Sequence, residues 1–153
     1  MGIENFELRV ENWELGIETK SRHALTRIFQ EDLIKENVLK TNSYAFALRI
    51  IKVYKFMSQE LREYVLAKQL LRSGTSIGAN IAEANQAQST PDFVSKMGIA
   101  LKETVETEYW LSLLRDSGFL TIAQADSLLS DCNEIKAILT AVIKTAKQKK
   151  GTS

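Results

Sequence analysis

The sequence predicts an all-α protein, an up-and-down four-helix bundle with an N-terminal extension. Three observations predict this fold. Apolar residues recur at spacings of three and four along most of the chain, only one proline and seven glycines occur among 153 residues, and helix-cap signals separate the periodic segments. We predict the bundle over residues 37–150 and the extension over residues 1–36. The chain has 153 residues, of which 44% are hydrophobic, so it is long enough to bury one core without disulfides.

The last segment carries the clearest helical pattern. Thr121 followed by Gln124 has the spacing of a capping box and predicts the start of the helix. The heptad stripe that follows consists of Ala125, Leu128, Cys132, Ile135, Leu139, Val142 and Ala146. Flanking apolar residues widen this stripe, so we expect the helix to meet more than one neighbour.

The segment before it is predicted to be a long helix. Thr90 serves as N-cap, Pro91 lies in the first turn, and Ser117-Gly118 provides a left-handed stop. Its apolar period consists of Phe93, Met97, Ala100, Leu101, Val105, Tyr109, Trp110, Leu113 and Leu114. Upstream, Asn42 or Ser43 is predicted to cap the first bundle helix.

The second bundle helix, predicted from about Gln59 to Asn85, contains the unusual stretch SGTSIGANIAEA at residues 73–84. Ile77 and Ile81 continue the apolar face, and neither a Walker nor a dinucleotide pattern is present. Gly74, Gly78 and Ala82 are spaced by four, so they form a strip without bulk. We interpret this strip as a surface that lets another helix backbone approach closely, which offsets the low helix propensity of glycine.

Two polar residues of this stretch leave alternatives open. Asn80 and Glu83 either hydrogen-bond to a neighbouring helix or to backbone, or are exposed to solvent.

The extension has a different pattern. Alternating residues in the stretches FELRV and WELGI predict two short strands, which would lie on the bundle, pair with another chain, or remain unfolded. Leu25, Ile28, Phe29 and Leu33 then predict a short amphipathic helix that leads into the bundle.

Charge and cysteine content limit the function classes. The single cysteine offers no disulfide framework, and the sequence shows neither a signal peptide nor a membrane span, so we expect a cytoplasmic protein with no membrane partner. The net charge is +1, but residues 37–153 carry fifteen bases against eleven acids. The chain ends in a lysine-rich tail, which is either a contact for nucleic acid or a membrane surface, or a solvated helix end.

The sequence predicts no catalytic, metal or cofactor site and no small-molecule substrate. Its only histidine, His23, has no nucleophile or orienting acid nearby in the sequence. Glu103 and Glu106 lack the histidine partners of a di-iron site. Cys132 occupies a core position, where a thiol is normally inert.

Three runs of the sequence resemble a known protein family: KENVLKTNSYAFALRIIKVYKF, KQLLRSGTSIGANIAEA and FVSKMGIALKETVETEYWLSLL. They are similar to the bacterial 23S rRNA intervening sequence proteins, also called S23 proteins. The accessory protein of diversity-generating retroelements is related to this family. The resemblance covers about residues 35–145 and implies an up-and-down bundle, commonly a ring of five subunits, with no known enzymatic activity and a suspected link to RNA. Residues 1–34 are an addition to the family pattern, or reflect a start codon placed too far upstream.

The family's motif positions map onto Gln69, Leu71, Arg72, Ser73, Ser76, Ile77, Ala79, Asn80, Ile81, Glu83, Ala84, Glu103, Glu106, Tyr109 and Trp110. The positions that we assign to helix or subunit packing are Gly74, Ile77, Gly78, Asn80, Ile81, Ala82, Glu83, Glu106, Tyr109 and Trp110.

The leading functional prediction is a non-enzymatic homo-oligomer, with five subunits expected from the resemblance, that binds structured RNA or an RNA-bound protein through a basic outer face. The residues predicted to contact phosphates are Arg49, Lys52, Lys55, Lys68, Arg72, Lys144, Lys147, Lys149 and Lys150. The alternative is a protein scaffold or accessory subunit, for example of a reverse transcriptase, that makes no contact with nucleic acid.

Overall fold

The computed structural model describes residues 18–150 of the chain, and the side chains of residues 22–149. This part of the chain is entirely helical outside its turns, which confirms the predicted all-α class. The four helices are α1 (Glu18–Gln59), α2 (Val65–Ala84), α3 (Thr90–Asp116) and α4 (Ile122–Lys150). The two short strands predicted near the N-terminus lie outside the described residues.

The chain divides into two compact units, Met1–Ile34 and Lys35–Ser153. In the first unit, the described residues form the beginning of α1, and the apolar side chains of Leu25, Ile28, Phe29 and Leu33 are exposed there. The second unit contains the rest of α1 and the other three helices.

Within the second unit, the four helices form an up-and-down bundle. Along α1, Ser43 and Ile50 lie opposite Gly78 and Gly74 of α2, so the two helices run antiparallel. Ion pairs and hydrogen bonds join α2 to α3, α3 to α4, and α4 back to α1, each in antiparallel order. Each helix therefore has two neighbours, which for α4 confirms what its wide apolar stripe predicted.

The core of the bundle is formed by one stripe from each helix. All seven residues of the heptad stripe predicted for α4, from Ala125 to Ala146, are buried. The α3 stripe differs from its prediction, because Val105 and Tyr109 are exposed while Thr104 and Thr107 are buried. The two threonine hydroxyls donate to backbone carbonyls four residues earlier, so their burial leaves no polar atom unsatisfied.

The predicted N-cap at Asn42 or Ser43 is wrong, because α1 begins at Glu18 and both residues lie inside it. No glycine or proline interrupts residues 18–59, so a helix can continue through them. The polar groups find other partners: Ser43 donates to the carbonyl of Lys40 at 3.1 Å, and Asn42 donates to Glu134 of α4 at 3.0 Å. No cap is needed here, because backbone N–H groups inside a helix already bond to carbonyls of the preceding turn.

Helix α2 begins at Val65, several residues later than predicted. Arg62 adopts a left-handed backbone conformation with φ 52°, which separates α2 from α1. The Glu63 carboxylate then accepts the backbone N–H groups of Val65, Leu66 and Ala67 at 2.9 to 3.2 Å. This satisfies three amides that have no partner in the first turn and places a negative charge at the positive end of the helix dipole.

The other helix ends lie close to their predicted positions. Ser89 rather than Thr90 caps α3, because its hydroxyl accepts the N–H of Asp92 at 3.2 Å. Gly118, with φ +80°, follows the end of α3 as predicted. Thr121 and Gln124 exchange two hydrogen bonds at the start of α4, which confirms the capping box.

Candidate functional site

The stretch at residues 73–84 lies within α2, as predicted, and its polar groups bond to their own helix. The hydroxyls of Ser73 and Thr75 donate to carbonyls three and four residues earlier, and Asn80 donates to the carbonyl of Ser76 at 2.8 Å. Because these groups close on the helix backbone, the stretch is not built as an open loop around an anion.

The small residues of α2 lie against α1. A β-carbon at Gly74 would lie 2.8 Å from Cγ1 of Ile50, so at this point the two helices are closer than any side chain allows. At Gly78 the nearest atoms, on Ser43, are 3.5 Å away, which is ordinary contact. Ile77 and Ile81 are buried in the core. The close approach is thus confined to one end of the strip.

At the other end of the strip, α1 and α2 enclose an open groove of about 750 Å³, here called the α1–α2 groove. Small side chains line its α2 side, and Lys40 and Tyr44 are among the residues that line its α1 side. The lining residues are Asn37, Lys40, Thr41, Ser43, Tyr44, Ala47, Thr75, Gly78, Ala79 and Ala82. None of them is acidic. The sequence pattern predicted the small residues but not the groove.

Two of the predicted phosphate contacts are engaged within the bundle. Arg49 pairs with Asp131 of α4 and also donates to the Ser127 hydroxyl at 2.8 Å. Arg72 pairs with Glu106 of α3 and lies 3.4 Å from both carboxylate oxygens of Glu103. Both guanidinium groups therefore hold helices together.

An aromatic and acidic network surrounds Arg72. The Trp110 indole N–H donates to Glu106 at 3.1 Å, and the Tyr109 ring meets the Trp110 ring edge-on at a centroid distance of 5.0 Å. The hydrogen bonds from Arg72 and then Trp110 hold the pKa of Glu106 below its usual range. Glu106, Tyr109 and Trp110, which we predicted to be packing residues, thus lie on the outer side of the contact between α2 and α3.

The structure shows which hydrogen bonds Asn80 and Glu83 make. Asn80 bonds to its own helix, whereas Glu83 accepts a hydrogen bond from Lys96 of α3. Glu83 is therefore a contact between two helices, although much of its side chain remains exposed.

The predicted lysines lie at two different levels of the bundle. Lys52 and Lys55 of α1 and Lys68 of α2 are exposed near the end of the bundle where α1 meets the start of α2. Arg49 pairs with Asp131, which marks its level on α4. At about 1.5 Å per residue, Lys144 and Lys147 lie about 20 Å or more further along α4 than Asp131. The structure does not bring these groups into one patch. Lys149 is exposed beyond them, and the Lys150 side chain lies outside the described residues.

The charge distribution along the helices was visible in the sequence but was not used in the prediction. Residues 37–59 carry four bases and no acid, and residues 65–82 carry two bases and no acid. Helix α3, at residues 90–116, instead carries five acids and three bases. Within these two stretches, the side formed by α1 and α2 therefore carries only bases, although Glu36, Glu60, Glu63 and Glu83 border the stretches, and α3 carries an excess of acids.

The residues considered for catalysis have different environments. His23 is an exposed residue of α1, whereas Cys132 is fully buried in α4, where desolvation raises its pKa to about 12. Across the described residues, no group of three or more potential metal ligands comes together, and no helix has an apolar stretch long enough to span a membrane.

Comparison with known proteins identifies a family and a similar solved structure. Residues 35–141 match the family model of the 23S rRNA-intervening sequence protein. The chain is also similar to a crystal structure of a protein of unknown function from the S23 ribosomal protein family of Bacteroides thetaiotaomicron. That match has 54% identity and a TM-score of 0.71, and it covers 72% of this chain and 98% of the other. No curated protein matches the chain.

Proposed function

Because the chain belongs to the 23S rRNA-intervening sequence protein family, we propose that it is a non-enzymatic, cytoplasmic homo-oligomer that binds structured RNA. The proposed contact surface is the basic side formed by α1 and α2. The observation that carries the proposal is the absence of any acid from residues 37–59 and 65–82, where six bases occur. A surface with an excess of positive charge attracts a polyanion without reading its sequence.

Three lysines of this surface are suited to phosphate contacts. Lys52, Lys55 and Lys68 are exposed, and within the described part of the chain none of them takes part in an ion pair. An ammonium group at the end of a flexible stem can reach phosphates of different geometry. The arginines contribute less, because each already binds a carboxylate of α3 or α4.

Three phosphate contacts per subunit give weak binding, so the proposal requires repetition. In a homo-oligomer, the same surface is presented several times, and a structured RNA that spans two or more subunits gains affinity through effective concentration. The resemblance implies a ring of five subunits, and the number of subunits is part of the proposal.

The proposal assigns no catalytic step to this surface. The buried hydroxyls of Ser43, Ser73, Thr104 and Thr107 donate to their own helices. The pKa of the Cys132 thiol is too high for it to act as a nucleophile at neutral pH.

The proposal is tested by titrating a labelled RNA hairpin at 50 and 200 mM salt. We expect wild-type affinity to fall steeply with salt, and the Lys52→Gln/Lys55→Gln/Lys68→Gln variant to show a log–log salt slope smaller by about 2–3. Lys144→Gln/Lys147→Gln removes two of the tail charges and serves as the control, which also tests whether the tail contributes.

The oligomer mass of each variant is measured in the same buffers, so that loss of RNA binding is not confused with loss of assembly. RNA affinity that is absent, or indifferent to salt and to the three lysines, would exclude the RNA function. The result would favour the alternative of a protein scaffold or accessory subunit.

A further inference from the structure

Two exposed aromatic side chains lie among the lysines proposed to contact phosphates. Phe56 of α1 is 39% exposed, and Tyr64, which directly precedes α2, is 51% exposed. Both belong to residues 52–68, which end α1 and begin α2 and are here called the α1–α2 turn segment. A single exposed aromatic ring is ordinary on a protein surface. What these two rings can bind therefore depends on their neighbours.

Each ring lies one helical turn from a lysine. Lys52 precedes Phe56 by four residues within α1, and residues spaced by four share one face of a helix. The backbone N–H of Lys68 donates to the carbonyl of Tyr64 at 3.2 Å, so the same spacing holds at the start of α2. Both lysines are exposed. Each pair therefore presents a flat apolar ring and a cation side by side.

The α1–α2 turn segment also has an excess of positive charge. Its four bases and two acids are Lys52, Lys55, Arg62, Lys68, Glu60 and Glu63. The Glu63 carboxylate is held by three backbone N–H groups of α2. Arg62 is exposed and takes part in no ion pair among the described residues. An anion that approaches the rings therefore meets more cations than anions.

An unpaired nucleotide is the ligand that complements such a surface. Its base is a flat ring that stacks on aromatic side chains, and its phosphate is an anion that binds a neighbouring cation. In a duplex the bases are stacked on one another and cannot reach a side chain in this way, whereas loops and bulges can splay them out.

We infer that the α1–α2 turn segment binds unpaired nucleotides of the RNA. The bases stack on Phe56 and Tyr64, while the adjacent phosphates contact Lys52 and Lys68. This inference rests on the proposed function, and it names the part of a structured RNA that the basic side selects, namely a loop or a bulge.

The test compares two labelled RNAs that carry the same number of phosphates, a hairpin with an unpaired loop and a blunt duplex. Phe56→Ala/Tyr64→Ala removes both rings and no charge. Tyr109→Ala is the matched control, because Tyr109 is 59% exposed but has no base three or four residues away on α3. Circular dichroism and the oligomer mass of each protein show whether fold and assembly are intact.

We expect the wild type to bind the hairpin at least about fivefold more tightly than the duplex. Phe56→Ala/Tyr64→Ala should lose at least about fivefold in hairpin affinity and bind the duplex as the wild type does. Its log–log salt slope should equal that of the wild type, because no cation is removed. Phe56→Tyr/Tyr64→Phe keeps both rings and should keep the hairpin affinity, as should Tyr109→Ala.

The inference is overturned if removal of the two rings leaves the hairpin affinity unchanged, or lowers hairpin and duplex affinity equally. It is also overturned if the ring variant loses oligomer mass and regains hairpin affinity at concentrations that restore the mass, because the rings would then belong to a protein contact. Equal, salt-dependent binding of hairpin and duplex by the wild type would refute this inference and leave the proposed function standing. Binding of neither RNA would refute both.

Discussion

Replacing Gly74 by alanine should destabilise the bundle, although alanine is the better helix former by about 1 kcal/mol. The added β-carbon would lie 2.8 Å from Cγ1 and 2.9 Å from Cγ2 of Ile50. Carbon atoms in contact prefer about 3.5–4.0 Å. Ile50 is fully buried and branched at its β-carbon, so its γ-carbons cannot rotate away without displacing other core residues.

Forcing extra volume into a packed core costs about 1–3 kcal/mol, which outweighs the gain in helix propensity. We therefore expect Gly74→Ala to lower the free energy of unfolding by about 1 kcal/mol. Gly98→Ala on α3 is the matched control, because nothing lies within 4 Å of its added carbon. The control should raise the free energy of unfolding by up to about 1 kcal/mol.

Gly78→Ala tests whether the effect depends on distance. Its added carbon would meet Ser43 at 3.5 Å, an ordinary contact, so within one chain it should behave like the Gly98 control. Gly78 also lines the α1–α2 groove. A loss of stability at Gly78 that disappears on dilution would therefore report on contact between subunits.

The assay is thermal unfolding at one fixed protomer concentration, because assembly makes Tm depend on concentration. A difference of about 2 kcal/mol between Gly74→Ala and Gly98→Ala corresponds to about 4–8 °C in a domain of this size. Ile50→Ala removes both γ-carbons, so it should cost less in the Gly74→Ala background than in the wild type. The reasoning is refuted if Gly74→Ala is as stable as the control, or if the double-mutant cycle shows no coupling.

Three further predictions concern other contacts. Glu63→Ala should lower the free energy of unfolding by about 1 kcal/mol in urea, because three amides of the first turn of α2 lose their acceptor; an unchanged midpoint would contradict the capping role. The pKa of Glu106 is lower in the folded protein than its ordinary value of 4.5. The stability that this carboxylate contributes is therefore complete above pH 4.5 and is lost as the pH falls through the lowered pKa. Glu106→Gln should therefore make the free energy of unfolding less dependent on pH on the acid side. With a pKa of about 12, the Cys132 thiol is ionised in about 1 molecule in 10,000 at pH 8, so a thiol reagent should label it only after unfolding; rapid labelling of the native protein would contradict its burial.

The parts of the fold that sequence reasoning predicted correctly depend on local patterns. The heptad stripe of α4 and the exchange between Thr121 and Gln124 involve residues within a few turns of one another, so periodicity and spacing were sufficient. The predicted cap at Asn42 or Ser43 failed because a capping residue type also occurs inside helices, and α1 extends upstream of both residues. Asn42 instead donates to Glu134, which is 92 residues away in the sequence.

Distance along the sequence also limited the prediction of the phosphate contacts. A single chain shows which residues are basic but not which of them face an acid. Arg49 and Arg72 were predicted together with the lysines, yet their carboxylate partners lie 82 and 34 residues further along the chain. The carboxylates that pair with Arg49 and Arg72 come from α4 and α3, respectively. Packing therefore engages the two arginines that lie next to α4 and α3. Lys52, Lys55 and Lys68 are exposed and take part in no ion pair among the described residues.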